Sequence, residues 1–262
     1  MNLFFAPHDS REGGATPLPA RIAGGLSAFL LVTLVFAYAF HSLQYQWGWE
    51  SIYAYRQKFV NGWLMTLAIS AAALLMSLLI GLCTALAQRS RLLPLRYLSK
   101  LYIEGIRGTP LLVQILVFFY VVADAFGVGD RYAVGVITLS LFAGAYISEI
   151  IRAGIESVGE SQLESGRAIG LTRGQIYRHV VFPQAFRQTL PPLAGQFASL
   201  IKDSSLLSII AVSELTLNAQ EVNAFTYSTL ESYLPLALGY LILTLPISIF
   251  SRRLEKRYRY ER

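Results

Sequence analysis

One cysteine, three histidines and 15% charged residues are a thin supply of chemistry for a chain of 262 residues. The lone Cys83 rules out an intrachain disulfide, and the scattered His8, His41 and His179 add too few ligands for a Cys/His metal site. Lying inside an apolar block, Cys83 is expected as a small core residue. There is no H-E-x-x-H, no G-x-S-x-G and no Gly-Lys dipeptide. The last absence excludes a P-loop, so any ATP hydrolysis belongs to another chain. No nucleophile stands beside a plausible base, which argues against an intramembrane enzyme, and no cofactor is expected.

What is abundant is apolar surface. Of the chain, 54% is hydrophobic, gathered in long blocks instead of the short periodic stripes that give a helix a water-facing side. A bilayer core of roughly 30 Å needs roughly 20 apolar residues per crossing. Six segments meet or approach that length: Ile22 to Phe40, Trp63 to Ala87, Pro110 to Phe126, Tyr132 to Ile151, Leu190 to Val212 and Tyr233 to Phe250. The fold class is therefore all-α, a polytopic membrane helix bundle with about six transmembrane helices. The third and fifth segments are the weakest. An amphipathic approach carrying Lys100, Glu104 and Arg107 precedes the third, and the fifth contains Lys202 and Asp203.

A net charge of +6 would suggest nucleic acid only if the basic residues formed one patch. Here they are parcelled out between the spans, so no nucleic-acid partner is expected. With both termini cytoplasmic, 18 Lys and Arg residues fall in internal segments and only Arg56, Lys58 and Arg131 outside, which fixes the orientation by the positive-inside rule. The last external loop, Ser213 to Ser232, holds Glu214, Glu221 and Glu231 and no basic residue. Trp47, Trp49, Tyr53 and Tyr55 crowd the first external connection, where amphipathic rings favour the headgroup layer. Arg21, the short apolar run after it and Ala37-Tyr38-Ala39 superficially copy a signal peptide. The polar lead-in of residues 1–21, with Asp9 and Glu12, is long for one.

The longest internal connection, residues 152–189, carries its own start and stop signals. Ser161-Gln162-Leu163-Glu164 fits a capping box, so a helix is expected to begin there. Gly170 can take the left-handed conformation that ends it. Thr172-Arg173-Gly174-Gln175 is a second, weaker box, and the helix it opens is expected to run until Pro183 removes a backbone donor. Leu163, Ile169, Leu171, Ile176, Val180 and Phe182 give the unit an apolar side, while Arg167, Arg173 and Arg178 give it a basic one. Two readings fit this pattern: an amphipathic hairpin resting on anionic membrane lipid, or a knob that fits a cleft in a soluble partner.

Glu164 to Pro183, ESGRAIGLTRGQIYRHVVFP, resembles the EAA loop of ABC importer permeases, with Glu164, Gly170 and Pro183 at the pattern's spacings. Ser165 and Gly166 stand for its two alanines, and Val180 and Phe182 for its Ile and Leu; the first pair lowers helix propensity without breaking the turn. Ile106-Arg107-Gly108-Thr109-Pro110-Leu111-Leu112-Val113-Gln114 is similar to the R-G-T-P-L-L-V-Q element of the polar amino acid subfamily (histidine, glutamate, glutamine and arginine types). Phe182-Pro183-Gln184-Ala185 and Leu190-Pro191-Pro192 continue the likeness, which spans roughly residues 61–258.

The resemblance implies the type I ABC importer permease fold, a core of five helices to which residues 22–40 would add one at the N-terminus. It also implies a cell (inner) membrane location, two copies of an ATPase subunit, a second permease (identical or related) and a periplasmic or extracellular binding protein that delivers a polar amino acid. Ser161, Leu163, Glu164, Arg167, Gly170, Arg173 and Pro183 would couple the loop to the ATPase.

Lys202 and Asp203 each cost roughly 2.5 to 3.5 kcal/mol in the bilayer centre on insertion scales, so something must satisfy them. They either pair with each other and nearby helix ends, or face an aqueous path and hold a zwitterion's carboxylate and ammonium, with Ser204 and Gln196 beside them. Gln196 lies seven residues before Asp203, two turns along one face. Family members that accept arginine look to carry an acid there, so an amide argues against an exclusively cationic substrate. Glu149, and Glu104 with Arg107, are expected at the membrane interface. The competing reading is an ion-coupled secondary transporter using Lys202 and Asp203, but it calls for inverted repeats and leaves the capped loop unexplained.

Overall fold

The computed structural model describes residues 18–42, 45 and 47–258. The first 17 residues of the expected N-terminal segment, with His8 and Arg11, and Arg259 and Arg262 of the tail lie outside the described residues. The chain divides into two units, residues 1–48 and 49–262. The first contains α1 (Leu18–Ser42), apolar around most of its circumference, whose Ser27, Thr33 and Ser42 hydroxyls donate to carbonyls three or four residues back in the same helix. Hydroxyls turned back on their own helix in this way are satisfied without water, as a hydrocarbon surrounding requires.

The second unit is built on α3 (Arg56–Gln88) and α6 (Arg131–Glu156). Along α3 the buried positions are Gly62, Thr66, Ile69, Ser70, Ala73, Ser77, Gly81 and Ala85, which recur every third or fourth residue and are nearly all small. On α6 Gly135, Ser140, Ala143, Gly144, Ala145 and Ser148 are buried in the same way. Lipid offers no hydrophobic drive for helix association, so close backbone approach over small residues supplies it through dispersion contacts. A Cβ on Gly81 would lie 2.5 Å from Ile147 Cγ2, and one on Gly144 would lie 2.7 Å from Ile80 Cγ2. The pair is already at contact and tolerates nothing larger than hydrogen there.

The third expected span, Pro110 to Phe126, and the amphipathic approach before it fold as two helices set at an angle. After α2 (Trp49–Ala54) and α3 come α4 (Leu93–Arg107) and α5 (Leu111–Val117), the latter continued by a π-helical turn over Phe118–Ala123. They meet at a bend of 109°. Pro110 forces its predecessor out of the helical region, and Gln114, one turn into α5, closes the break. Its Nε2 donates to Ile106 O (2.7 Å), Thr109 O (3.1 Å) and Thr109 Oγ1 (2.8 Å), satisfying carbonyls orphaned by the end of α4. The last residue of the R-G-T-P-L-L-V-Q element is thus the clamp of the bend its Gly and Pro create.

After α6 come α7 (Glu160–Ala168), α8 (Arg173–Ile176), a π turn over Tyr177–Val181 and α9 (Phe182–Asp203), which tightens into a 3-10 segment over Ser204–Ile210. Two last helices follow, α10 (Leu215–Thr226) and α11 (Thr229–Tyr258). The core gathers Ile69 and Ala73 of α3, Ile115 of α5, Leu139 of α6, Leu200 of α9 and Leu207 of the 3-10 segment.

Among the described residues four stretches are long and apolar enough to cross a membrane, Ile22–Ser42, Arg56–Gln88, Arg131–Glu156 and Thr229–Tyr258, and the bent pair makes a fifth if it counts as one span. The expected Leu190 to Val212 span is not among them: its α-helix starts earlier, at Phe182, and ends at Asp203, so it takes in Gln184, Arg187 and Gln188 and leaves Ser204–Ile210 to a 3-10 segment.

One expectation is corrected here. Cys83 is exposed on α3, because the buried stripe runs through Gly81 and Ala85 and leaves Cys83 on the other side. In the acidic stretch after α9, Glu214 and Glu231 are fully buried. Glu214 is the N-cap of α10, accepting from Thr216 N (2.9 Å), Leu217 N (2.8 Å) and the Tyr240 hydroxyl of α11 (2.8 Å). Burial pushes its carboxyl above the ordinary range, and the two amides and the hydroxyl pull the other way.

Candidate functional site

The connection between α6 and α9 folds as a compact elbow. Gly170 adopts φ +80, Leu171 N donates to Gly166 O (3.1 Å) and Gly170 N to Arg167 O (3.0 Å), the paired bonds of a Schellman ending. The second capping box is present in full: Gln175 N donates to Thr172 Oγ1 and Thr172 N to Gln175 Oε1. Val158, Ile176 and Val181 are buried together, with Ile155, Leu163, Leu171 and Val180 packed round them. Gly166 is buried where α7 lies on α8, and a Cβ there would sit 3.1 Å from Ile176 Cγ1. The glycine that replaces alanine in the loop's pattern sets how closely the two helices approach.

Three details differ from expectation. The first helix starts at Glu160 with Gly159 as N-cap and no side-chain cap, so Ser161 lies inside the first turn and makes no capping box. An earlier start places Glu160 in the first turn, where its charge favours the helix dipole. The second helix does not stop at Pro183. The π turn over Tyr177–Val181 widens the backbone just ahead of it, so the missing N–H and the ring fall where the regular ladder is already interrupted. Ile169 and Phe182 are not part of the elbow's small core; Ile169 is 77% exposed at the tip, beside exposed Glu164, Arg167 and Arg173. None of these three charged residues forms an ion pair among the described residues. The tip is a free, mixed polar and apolar surface on a rigid base.

Charge ties α4 to the inner end of α6, from which the elbow leaves. Glu149 Oε2 accepts from Arg107 Nη1 of α4 (3.1 Å) and from Arg152 Nη2 (3.0 Å), and Arg152 also pairs with Glu156. The expected interface residue Arg107 thus pairs with Glu149, tying the bent span to α6. A polar cavity of about 900 Å³ lies against this network, with Gln88, Arg96, Lys100 and Glu104 in its wall.

Lys202 and Asp203 sit where α9 turns into its 3-10 segment. They form no ion pair with each other among the described residues, because consecutive helical positions point about 100° apart. Lys202 is exposed, and Asp203 and Gln196 are half-buried. Ser204 is fully buried and its hydroxyl donates to Ile201 O (2.8 Å), which fixes the turn behind the charges. Gln188, Pro192, Gly195 and Ser199 share the helical face of Lys202, and a Cβ on Gly195 would meet nothing within 4 Å. Toward the base of this face, Ser251 of α11 donates to Pro191 O (2.9 Å), one of the carbonyls around the two helix prolines. The face is open, small-sided and ends at the exposed Lys202, while Asp203 stands about 100° round the helix in line with Gln196.

Two structural keystones escaped sequence reading. Gln114 stood at the end of a matched motif with no assigned task, and Glu214 was counted only as loop charge. An acid immediately before a helical run, Ser213-Glu214-Leu215-Thr216, is a readable N-cap signal.

Residues 77–260 match the family of binding-protein-dependent transport system inner membrane components. The L-cystine transport system permease protein of Bacillus subtilis is 42% identical over 194 residues, covering 73% of this chain and 82% of that protein. The glutamine transport system permease protein of Escherichia coli K12 is 37% identical over 214 residues, covering 81% and 98%. Among solved structures, a crystal structure of an amino acid ABC transporter with histidines has a chain 35% identical, with a TM-score of 0.76, covering 81% of this chain and 100% of that one. The MetNI methionine ABC transporter in an inward-facing conformation shares the fold at 17% identity, with a TM-score of 0.65.

Proposed function

The chain belongs to the family of inner membrane components of binding-protein-dependent transport systems, and from that premise we propose how it moves its substrate and which residues do so. It is a multi-pass permease subunit with the type I ABC importer fold, and hydrolysis of ATP takes place on a separate chain. Its substrate is a polar amino acid, as the cystine and glutamine relatives suggest. Two such permeases, identical or related, enclose the path; two ATPase subunits bind their elbows from the cytoplasm, where both termini lie; and an external binding protein delivers the amino acid. Residues 61–258 form the permease domain and residues 22–40 an added helix.

The observation that carries this reading is the elbow's construction. A segment merely resting on headgroups needs an apolar face along its length, whereas here most of the apolar residues are consumed in an internal core, leaving Glu164, Arg167 and Ile169 as a free tip. Ser161, Leu163, Glu164, Arg167, Gly170, Arg173 and Pro183 act together: Leu163 and Gly170 hold the shape, Ser161, Glu164, Arg167 and Arg173 offer polar contacts, and Pro183 marks where the elbow joins α9. ATP-driven closure of the ATPases displaces this lever and, through α9 and the Glu149 ion pairs, the spans.

At the end of α9, Lys202 receives the carboxylate of the amino acid from one side and Asp203, on the neighbouring face, its ammonium, with Gln196 two turns below Asp203 reading the side chain and Ser204 holding the turn from behind. Placing an acid at Gln196 changes what is accepted. In proteoliposomes of the complete transporter, Gln196→Glu raises arginine uptake relative to glutamine by about five- to tenfold, the scale of a charge-assisted hydrogen bond. Asp203→Asn lowers uptake of every amino acid about tenfold or more while membrane abundance stays near that of the parent. An unchanged arginine-to-glutamine ratio removes Gln196 from the site, and equal losses of uptake and abundance for Asp203→Asn make that residue structural.

A further inference from the structure

A groove unrelated to the substrate face runs between the inner ends of α3, α6 and α9, with a volume of about 630 Å³. Its floor is Ile151, Ile155, Val181, Ala185 and Thr189, the last three buried. Its walls are large exposed apolar side chains: Leu82 and Leu86 of α3 and Phe182 and Phe186 of α9, each between 47% and 67% exposed. One end alone is polar, where Arg89, Arg178 and Tyr177 stand together and Arg89 Nη2 donates to the Tyr177 hydroxyl (3.1 Å). Neither arginine meets a carboxylate among the described residues.

We propose that this groove binds an anionic phospholipid of the cytoplasmic leaflet, an acyl chain lying along the apolar channel and the phosphate held by Arg89 and Arg178. The asymmetry of the groove carries the assignment. A free anion would have no use for the channel of leucine and phenylalanine, and a neutral apolar occupant would leave two unpaired guanidinium groups at its end. A phospholipid satisfies both, since planar guanidinium forks match phosphate oxygens and basic pockets between helices on the cytoplasmic side take anionic headgroups. The placement rests on the cytoplasmic orientation of the elbow given above.

The groove is also where a lipid would matter. Its floor joins α6 to α9 on either side of the elbow: a Cβ on Gly154 would lie 2.3 Å from Thr189 Cγ2 and 3.1 Å from Ala185 O. A chain wedged beside that contact stiffens the junction through which the elbow's displacement reaches the spans. The lipid is therefore a structural ligand of the lever, separate from the transported substrate.

The test is lipid retention by the complete transporter with its ATPase, purified from vesicles containing phosphatidylglycerol and phosphatidylethanolamine and read by native mass spectrometry. Phosphatidylglycerol is retained preferentially. Arg89→Gln and Arg178→Gln each lower that retention about fivefold, and both together lower it roughly 25-fold. Both side chains are exposed, so the variants fold. Inorganic phosphate and glycerol phosphate, which lack the acyl chain, compete weakly; equal competition by either shows a bare anion site and overturns the proposal. A photoreactive Phe186→p-benzoylphenylalanine variant labels lipid; labelling of the ATPase, of α1 or of a second permease in its place assigns the groove to that protein and overturns it as well. Retention is read apart from uptake, so failure here leaves the transport reading standing.

Discussion

Gly170→Val is expected to reduce ATP-driven uptake to less than about a tenth of the parent value, with the protein inserted and abundant as before. At φ +80 a residue with a branched Cβ carries about 1–3 kcal/mol of strain, enough to depopulate the elbow's turn by a factor of roughly 5 to 150. Crowding plays no part, since a Cβ at this position would meet nothing within 4 Å. The cost is purely that of the left-handed backbone. Gly170→Asn, which tolerates that conformation, should therefore keep most of the activity. Parallel assays of uptake and ATPase activity in proteoliposomes separate the outcomes. Hydrolysis that persists while uptake falls is the signature of a broken lever. Equal activity of the valine and asparagine variants would mean that the turn is not needed.

The second large effect belongs to the packing of α3 on α6. Gly81→Leu places a branched side chain where even its Cβ would lie 2.5 Å from Ile147 Cγ2 and 3.1 Å from Gly144 O, and the second of these is backbone that no rotamer change relieves. Overpacking of this kind costs typically 1–3 kcal/mol and occasionally more, and here it acts on the central helix pair of the bundle. Membrane abundance is expected to fall severalfold and the midpoint of thermal unfolding in detergent to drop by several degrees. Gly105→Ala on α4 is the control, because a Cβ there meets nothing within 4 Å. Near-normal abundance of Gly81→Leu would show that the two helices separate easily, and the small-residue stripe would lose its explanation.

The residues that sequence reasoning placed well are those whose chemistry admits one local role. Gly170 is the clearest: it follows a helical run, and a glycine there permits a left-handed ending at little cost. The Thr172 box was readable because its two partners are three residues apart and both bonds are local. The Ser161 box failed although its letters match, since helix starts compete over a few residues and Gly159 two positions earlier offered one that keeps Glu160 in the first turn. Pro183 misled for a related reason: a proline forbids one hydrogen bond, and a π turn had already given that bond up. What remained illegible depended on distant partners. Gln114 spans a bend between helices, Glu214 meets Tyr240 of α11, and Arg107 meets Glu149 across 42 residues, and none of these pairings leaves a trace in local spacing. On the α9 face the charges of Lys202 and Asp203 were visible in sequence, while their failure to pair came only from helical geometry.

The account stands on the elbow as the place where a separate ATPase grips this chain, and cross-linking from its tip tests that directly. In a Cys83→Ala background, which removes the chain's one natural thiol, Ile169→Cys is placed at the exposed tip and labelled in native membranes with a short reagent that couples to its thiol at one end and carries a photoreactive group, which inserts into whatever lies beside it, at the other. The predicted result is a covalent adduct with the nucleotide-binding subunit whose yield changes when ATP is added. Adducts with lipid alone, or none with any nucleotide-binding chain in a transporter that is actively importing, would contradict it.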